Sequence, residues 1–470
     1  MALVSQTEHA RAVGQVAAAF GALDPARPVR LAKRTSNLFR ARAPGPASGL
    51  DVSGLDSVVE VDPGARTAQV QGMATYERVV EQTLAFGLMP LVVPQLKTIT
   101  VGGAVTGLGI ESSSFRNGLP HESVLALEVL TGTGEVVTAT PTGEHADLYR
   151  AFPNSYGSLG YAMSLTIELE PVSRYVRLRH VRFFDLAGLL DAVGHVMESR
   201  QWHGVGVDFV DGVVFARDES YLVLGTWADT LGAGERPSDY TGQQVYYRSI
   251  PARARDVLTV HDYLWRWDTD WFWCSRAFGA QHPLVRRVWP RRWLRSDVYW
   301  RLVGIETRWR PMGRIDALRG RAQRERVIQD VELPLEATGE FLDWFLDTVP
   351  IEPIWLCPVA LRGMPRGPGD DVAGQTPWPL YPMHLGVPYV NVGFWSTVPV
   401  APGARLGDVN RDIERVVGSL GGHKSLYSDA YYDRDAFLAK YGGAAYEKVK
   451  GRYDPSGRFP DLYDKAVRRQ

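Results

Sequence analysis

Between Pro94 and Gly118 the chain reads Pro-Gln-Leu-Lys-Thr-Ile-Thr-Val-Gly-Gly-Ala-Val-Thr-Gly-Leu-Gly-Ile-Glu-Ser-Ser-Ser-Phe-Arg-Asn-Gly. Glycines and hydroxyl residues crowd together there without a helical or strand period. Backbone of this kind can lie close against an extended ligand and donate N–H groups to its phosphates. The expected ligand is a dinucleotide. The spacing Gly103-x3-Gly107-x-Gly109 has neither the three-glycine Rossmann fingerprint nor the ending of a P-loop, and Glu111 stands where a P-loop would want a cation. A tight loop needed only for folding is the alternative.

The elements around this segment must hold it in place. Upstream lie strand-like runs at 58–63 and 68–73 and a helical run from Tyr76 to Phe86 closed by Gly87. Downstream come strands at 124–130 and 135–139 joined by a Gly132-Thr133-Gly134 turn, then Gly157-Ser158-Leu159-Gly160 leading into 165–169. From about 173 the strands lengthen and become more aromatic, as at 213–216 and 221–225, with helical runs such as 339–346 between them. That pattern suits an α+β domain with an antiparallel sheet. Residues 362–380, rich in Gly and Pro, read as a surface loop.

In this order the pieces resemble the FAD-binding flavoproteins of the vanillyl-alcohol oxidase and p-cresol methylhydroxylase superfamily. The run Gly102 to Ser114 is similar to that of the Δ24-sterol reductase subgroup. Residues 261–270, Gln329-Asp330-Val331 and 426–432 extend the resemblance over most of the chain. Within the group the sequence is most similar to the actinobacterial flavoenzymes that reduce a 10-methylene fatty acyl group to the 10-methyl branch of tuberculostearic acid.

The resemblance implies an α+β fold: a two-subdomain FAD-binding domain of p-cresol methylhydroxylase type over residues 1–172, a substrate domain over 173–415, and a tail, 416–470, that returns to the flavin. The implied flavin contacts are Pro94, Gln95, Thr98, Thr100, Val101, Gly102, Gly103, Ala104, Gly107, Gly109, Ile110, Ser112, Ser113, Gly118, Gly157 and Gly160. Arg34, Thr35, Ser36 and Asn37 occupy the place of the first pyrophosphate loop, although an ordinary polar turn would read the same way. No histidine occurs between His9 and His121. The attachment histidine of covalent members is therefore missing, which implies noncovalent FAD.

Composition agrees with a two-domain globular enzyme. The chain has 470 residues, 45% of them hydrophobic, which exceeds what one core usually supports. A formal net charge of −1 offers no global attraction to nucleic acid. Cys274 and Cys357 form neither a disulfide framework nor a metal spacing, so a reducing cytoplasm is the expectation, and no metal site is read. No apolar run approaches the ~18–20 residues that a spanning helix needs.

A Trp- and Arg-rich segment, 261–310, stands out in the substrate domain. Eight of the 14 tryptophans lie between 265 and 309, and seven arginines fall between 276 and 301 against the single acid Asp297. Tryptophan favours the bilayer interface and arginine is drawn to anionic headgroups, so 276–301 is a candidate monotopic contact with the inner face of the cell membrane. The alternative is a domain core in which arginines stack on aromatics or pair with Asp262, Asp268 and Asp270. The half from His261 to Trp273 reads as pocket lining.

Reduction of an isolated alkene needs a hydride from reduced flavin and a proton from an acid, and aromatic faces can stabilise cationic character. The candidate acids are His423, Lys424, Tyr427, Tyr431, His261 and Asp262, with Asp429 and Tyr432 nearby. His423 and Lys424 follow Gly421-Gly422 and read as groups on a flexible turn, which a surface loop would explain equally well. Tyr427 and Tyr431 would share a helix face or be separated by a turn. NADPH, or NADH, is the expected electron donor, and an S-adenosylmethionine-dependent methyltransferase that makes the methylene lipid is the expected partner. Two other functions stay open: an FAD-dependent oxidase or dehydrogenase of an alcohol or sugar, and a flavin-binding subunit that only recruits the methyltransferase.

Overall fold

Two antiparallel sheets organise the molecule. The computed structural model describes residues 3–33, 39–40, 48–241, 244–309, 322–363 and 377–468. The first sheet runs Val58–Asp62, Thr67–Gln71, Tyr161–Pro171, Val124–Leu130, Val136–Ala139, with Leu88–Pro90 also paired to Tyr161–Pro171. It ends at Pro171. The helix Tyr76–Leu84 has Thr75 as its N-cap, and Gly87 lies just beyond its end at φ 70°, a backbone conformation that glycine adopts without strain.

The second sheet has eight strands in the order Arg255–Thr259, Tyr175–Phe183, Glu219–Ala228, Phe209–Ala216, Ile354–Ala360, Pro388–Pro399, Arg324–Pro334, His423–Lys424. One face packs under the helices Leu186–Ser199 and Leu335–Thr348 through residues such as Val193, Val210, Leu224, Val331, Phe345 and Phe394. Because side chains alternate along a strand, the neighbours Asp211, Trp355 and Asp330 point to the other face, toward the first domain. The strand His423–Lys424 belongs to this sheet, so the tail begins inside the second domain. Its later helices, Arg434–Lys440, Gly443–Tyr453 and Leu462–Ala466, reach the first domain, where Lys450 donates to the Ser158 carbonyl at 2.8 Å and Lys465 to the Gly157 carbonyl at 2.7 Å.

The glycine segment is more regular than its sequence suggests. Val101–Thr106 is helical, with the Thr100 hydroxyl accepting from the Gly103 N–H at 3.2 Å, and Ser114–Asn117 forms a further helical turn. Several of its glycines answer to protein neighbours. A Cβ on Gly102 would sit 2.6 Å from the Gly72 carbonyl oxygen, and one on Gly109 would sit 2.6 Å from a Pro120 ring carbon.

A fully buried charge cluster joins the halves. Arg266 pairs with Glu111 of the glycine segment at 2.8 Å and with Asp211 of the second sheet at 3.1 Å, while the indoles of Trp267 and Trp355 also donate to Asp211. Burial pushes the Glu111 carboxyl up, against the pull of Arg266. Three further bonds reinforce the join: Val210 N–H to the Ser112 carbonyl at 2.8 Å, Ser112 to Tyr263 through their hydroxyls at 2.7 Å, and Arg116 to the Asp208 carbonyl at 2.8 Å.

Candidate functional site

A cavity lies between the two sheets. The first domain contributes Pro94, Gln95, Thr100, Gly102, Gly103, Gly107, Gly109, Ile110, Gly157 and Gly160 to its wall, and the second contributes Trp271, Phe272, Cys274, Asp330, Trp355 and Trp395, with Tyr427 from the tail. Of the residues the sequence assigned to the flavin, ten therefore line one cavity. The others do not. Val101 and Ala104 are core residues of the short helix, and Thr98 lies outside the lining. Ser112 bonds to Glu111 and Tyr263, Ser113 donates to the Leu91 carbonyl, and Gly118 leaves room for the Glu122 carboxylate, 2.0 Å from where its Cβ would stand. These three serve the inter-domain join and the turn after it, because the segment leaves the cavity wall after Ile110. Arg34, Thr35, Ser36 and Asn37 lie outside the described residues.

The charge of the wall suits a dinucleotide. Among the described lining residues, four cationic side chains, Arg30, Lys33, Arg40 and Lys465, stand against one carboxyl group, Asp330. Arg30 Nε and Gln95 Nε2 are buried with no hydrogen-bond partner among the described residues. A pyrophosphate needs cations and N–H donors, and a flavin ring edge needs donors and acceptors, so these residues fit FAD. Among the described lining residues there is no histidine, and burial pushes the Cys274 thiol up to about 12, which keeps it protonated and a poor nucleophile.

Aromatic faces gather at the second-domain side of the cavity, its aromatic end. Phe272 lies 4.2 Å from Trp395 and 5.5 Å from Trp355 between ring centroids, and Trp271 stacks on Phe39 at 5.6 Å. Among them stands Asp330. Its carboxyl accepts from Asn391 Nδ2 at 3.2 Å and is hydrogen-bonded to Tyr427, whose oxygen accepts from the Trp395 indole at 3.0 Å. Burial pushes Asp330 up to about 7, and burial likewise keeps Tyr427 protonated. Gly393 on the adjacent strand makes the room, since a Cβ there would sit 2.4 Å from Asp330 Oδ1.

Most of the acids picked from the sequence lie elsewhere. His423 and Lys424 are strand residues paired with Glu332 and Val331, not a flexible turn. Burial pushes His423 down to about 3 and also lowers Lys424, which pairs with Glu414 at 3.2 Å. Tyr431 lies under the Arg411 guanidinium, 4.7 Å from its ring centre, outside the cavity, and a turn separates it from Tyr427. His261 is exposed, and Asp262 accepts from Thr241 and Thr259 near the start of the helix Val260–Trp265. Tyr427 alone of the six lines the cavity.

The candidate acids read from the sequence do not include Asp330, although Gln329-Asp330-Val331 belongs to the resemblance. The available signal was alternation. In Ile328-Gln329-Asp330-Val331-Glu332-Leu333, Val331 and Leu333 face the core under the helices, so Asp330 and Glu332 share the opposite face. Two acids on the buried face of an inner strand call for a chemical explanation.

Comparison with known proteins agrees with this geometry. Residues 4–140 match the family described as FAD binding domain. The chain is 26% identical over 427 residues to the Delta(24)-sterol reductase of Rattus norvegicus, a match covering 88% of this chain and 77% of that protein. It is 27% identical over 440 residues to the Delta(24)-sterol reductase of Arabidopsis thaliana, covering 89% and 76%. A shorter match, 26% over 176 residues, reaches Cytokinin dehydrogenase 9 of Oryza sativa subsp. japonica, covering 37% of this chain and 32% of that one. The chain is an FAD-dependent oxidoreductase of α+β fold. Its sequence similarity runs through both domains, not the FAD-binding part alone.

Proposed function

We propose that the enzyme reduces a carbon–carbon double bond in a lipid, specifically a 10-methylene fatty acyl chain to its 10-methyl product, with NADPH as electron donor and FAD held noncovalently. The observation that carries this reading is the aromatic end of the cavity, with Asp330 as the one carboxyl group in the described wall. The relatives named for sterol reduction support the same reaction class. FAD, when bound and reduced, supplies the hydride to one alkene carbon. The chain supplies the rest. Asp330 gives its proton to the other carbon, and Tyr427, fixed by the Trp395 indole, holds the carboxyl in place. The faces of Trp271, Phe272, Trp355 and Trp395 exclude water and stabilise cationic character during protonation. An S-adenosylmethionine-dependent methyltransferase is the proposed source of the methylene substrate.

An alcohol or sugar oxidase would need a wall rich in groups for hydroxyls, and the aromatic end does not offer one. Incubation of the purified protein with NADPH, FAD and a methylene-bearing lipid should yield the methyl-branched product by mass spectrometry. Rapid peroxide formation without lipid reduction would favour the oxidase.

Asp330 gives that reaction a pH signature. Its protonated form is the donor, so the rate of lipid reduction should fall as pH rises through about 7, while reduction of the flavin by NADPH continues. Asp330→Asn should lower lipid turnover by about 10²–10⁴-fold and remove this limb. An unchanged profile in the variant would take the acid role from Asp330.

A further inference from the structure

The geometry points to a second functional surface, an anionic-membrane contact built on the helix Pro283–Val288 and the turn after it, through which the enzyme takes its acyl chain directly from the bilayer. Leu284 is 72% exposed, Val288 79% and Trp293 48%. Large apolar side chains left this open are few in the described chain, and three of them fall within ten residues. Leu284 and Val288 stand four apart on one helix and so share a face. Arg287, Arg291 and Arg292 are exposed beside them, with no acidic partner among the described residues. Apolar tips flanked by unpaired guanidinium groups complement a surface that is oily inside and negatively charged outside. A protein partner would offer carboxylates in a fixed pattern and a pocketed anchor, whereas this patch presents apolar tips that stand open to solvent.

Position supports the same occupant. Behind the patch, Trp289 packs against Tyr299, and both belong to the aromatic cluster that contains Trp271. Trp271 lines the cavity. The surface is thus the outer side of the wall whose inner side is the aromatic end of the site. Among the described residues, this cluster joins the patch to the cavity wall. No described helix is long and apolar enough to cross a membrane, so contact from one face is the mode this patch allows.

The inference rests on the lipid reading above, and its test is independent of turnover. The FAD-loaded protein is sedimented with phosphatidylglycerol vesicles and, separately, with phosphatidylcholine vesicles. Binding is expected with the first and should weaken with salt. Leu284→Ser/Val288→Ser tests insertion, and Arg287→Gln/Arg291→Gln/Arg292→Gln tests the charge. Each should weaken binding by about tenfold or more while FAD content and flavin reduction by NADPH stay at the parent level. Failure of the parent to sediment with phosphatidylglycerol, or parent-like binding by both variants, overturns the surface. Parent-like binding by the arginine variant alone overturns its anionic preference. Binding of the parent to a purified methyltransferase through these residues, with no vesicle binding, would make the face a protein interface and overturn the membrane assignment. A protein that sediments but reduces no alkene refutes the function proposed above and leaves the surface standing.

Discussion

Arg266 and Arg286 lie close in sequence to Arg287, Arg291 and Arg292, yet the two groups live in opposite surroundings. The first pair is buried and matched: Arg266 to Glu111 and Asp211, Arg286 to Asp270 at 2.6 Å. The second group is exposed without acidic partners among the described residues. Arg295 falls between the two, half-buried and held by Glu77 and Asp297. Of the two explanations of the Arg-rich segment, the paired core describes Arg266 and Arg286, and the membrane contact is a proposal for the exposed three. Local composition does not decide which. What decides is whether carboxylates distant in sequence are delivered to the guanidinium, because a buried charge must be paired and an exposed one need not be.

The largest effect should come from the deepest pair. Arg266→Met leaves Glu111 and Asp211 facing each other without a cation, and should cost about 3–5 kcal/mol in denaturant unfolding. A loss below about 1 kcal/mol would show that the carboxyls neutralise themselves by taking up a proton. Arg286→Gln should cost less, about 1–3 kcal/mol, because Asp270 keeps its bond from Ser275 and its pKa is already raised by burial. Arg287→Gln and Arg291→Gln should each change stability by no more than about 0.5 kcal/mol. A clear destabilisation by either would erase the contrast and return that arginine to the core.

Much of the first domain was legible in the sequence because its signals are local. The runs at 58–63, 68–73 and 124–130 alternate as half-buried strands do, and the helix from Tyr76 stops close to its glycine. The site was less legible, for a physical reason. Gly421-Gly422 suggests flexibility, but pairing of His423 and Lys424 with residues 331–332, some ninety positions earlier, turns that turn into a sheet edge. Arg286 reads as a surface charge until Asp270 folds back against it. The glycines, too, leave two readings open in the sequence, an opening for a ligand or a tight loop needed for folding. Gly102 is glycine because the Gly72 backbone lies against it, while its other side faces the cavity.

The Glu111–Arg266–Asp211 cluster has a consequence for how the molecule comes apart. The segment that walls the dinucleotide end and the strand beside the one that carries Trp355 meet at one buried guanidinium. Separating the halves would part that guanidinium from Glu111, while Asp211, in its own domain, stays with it. Opening the cleft as a hinge would break that buried pair, and the two domains should melt together, in a single cooperative transition.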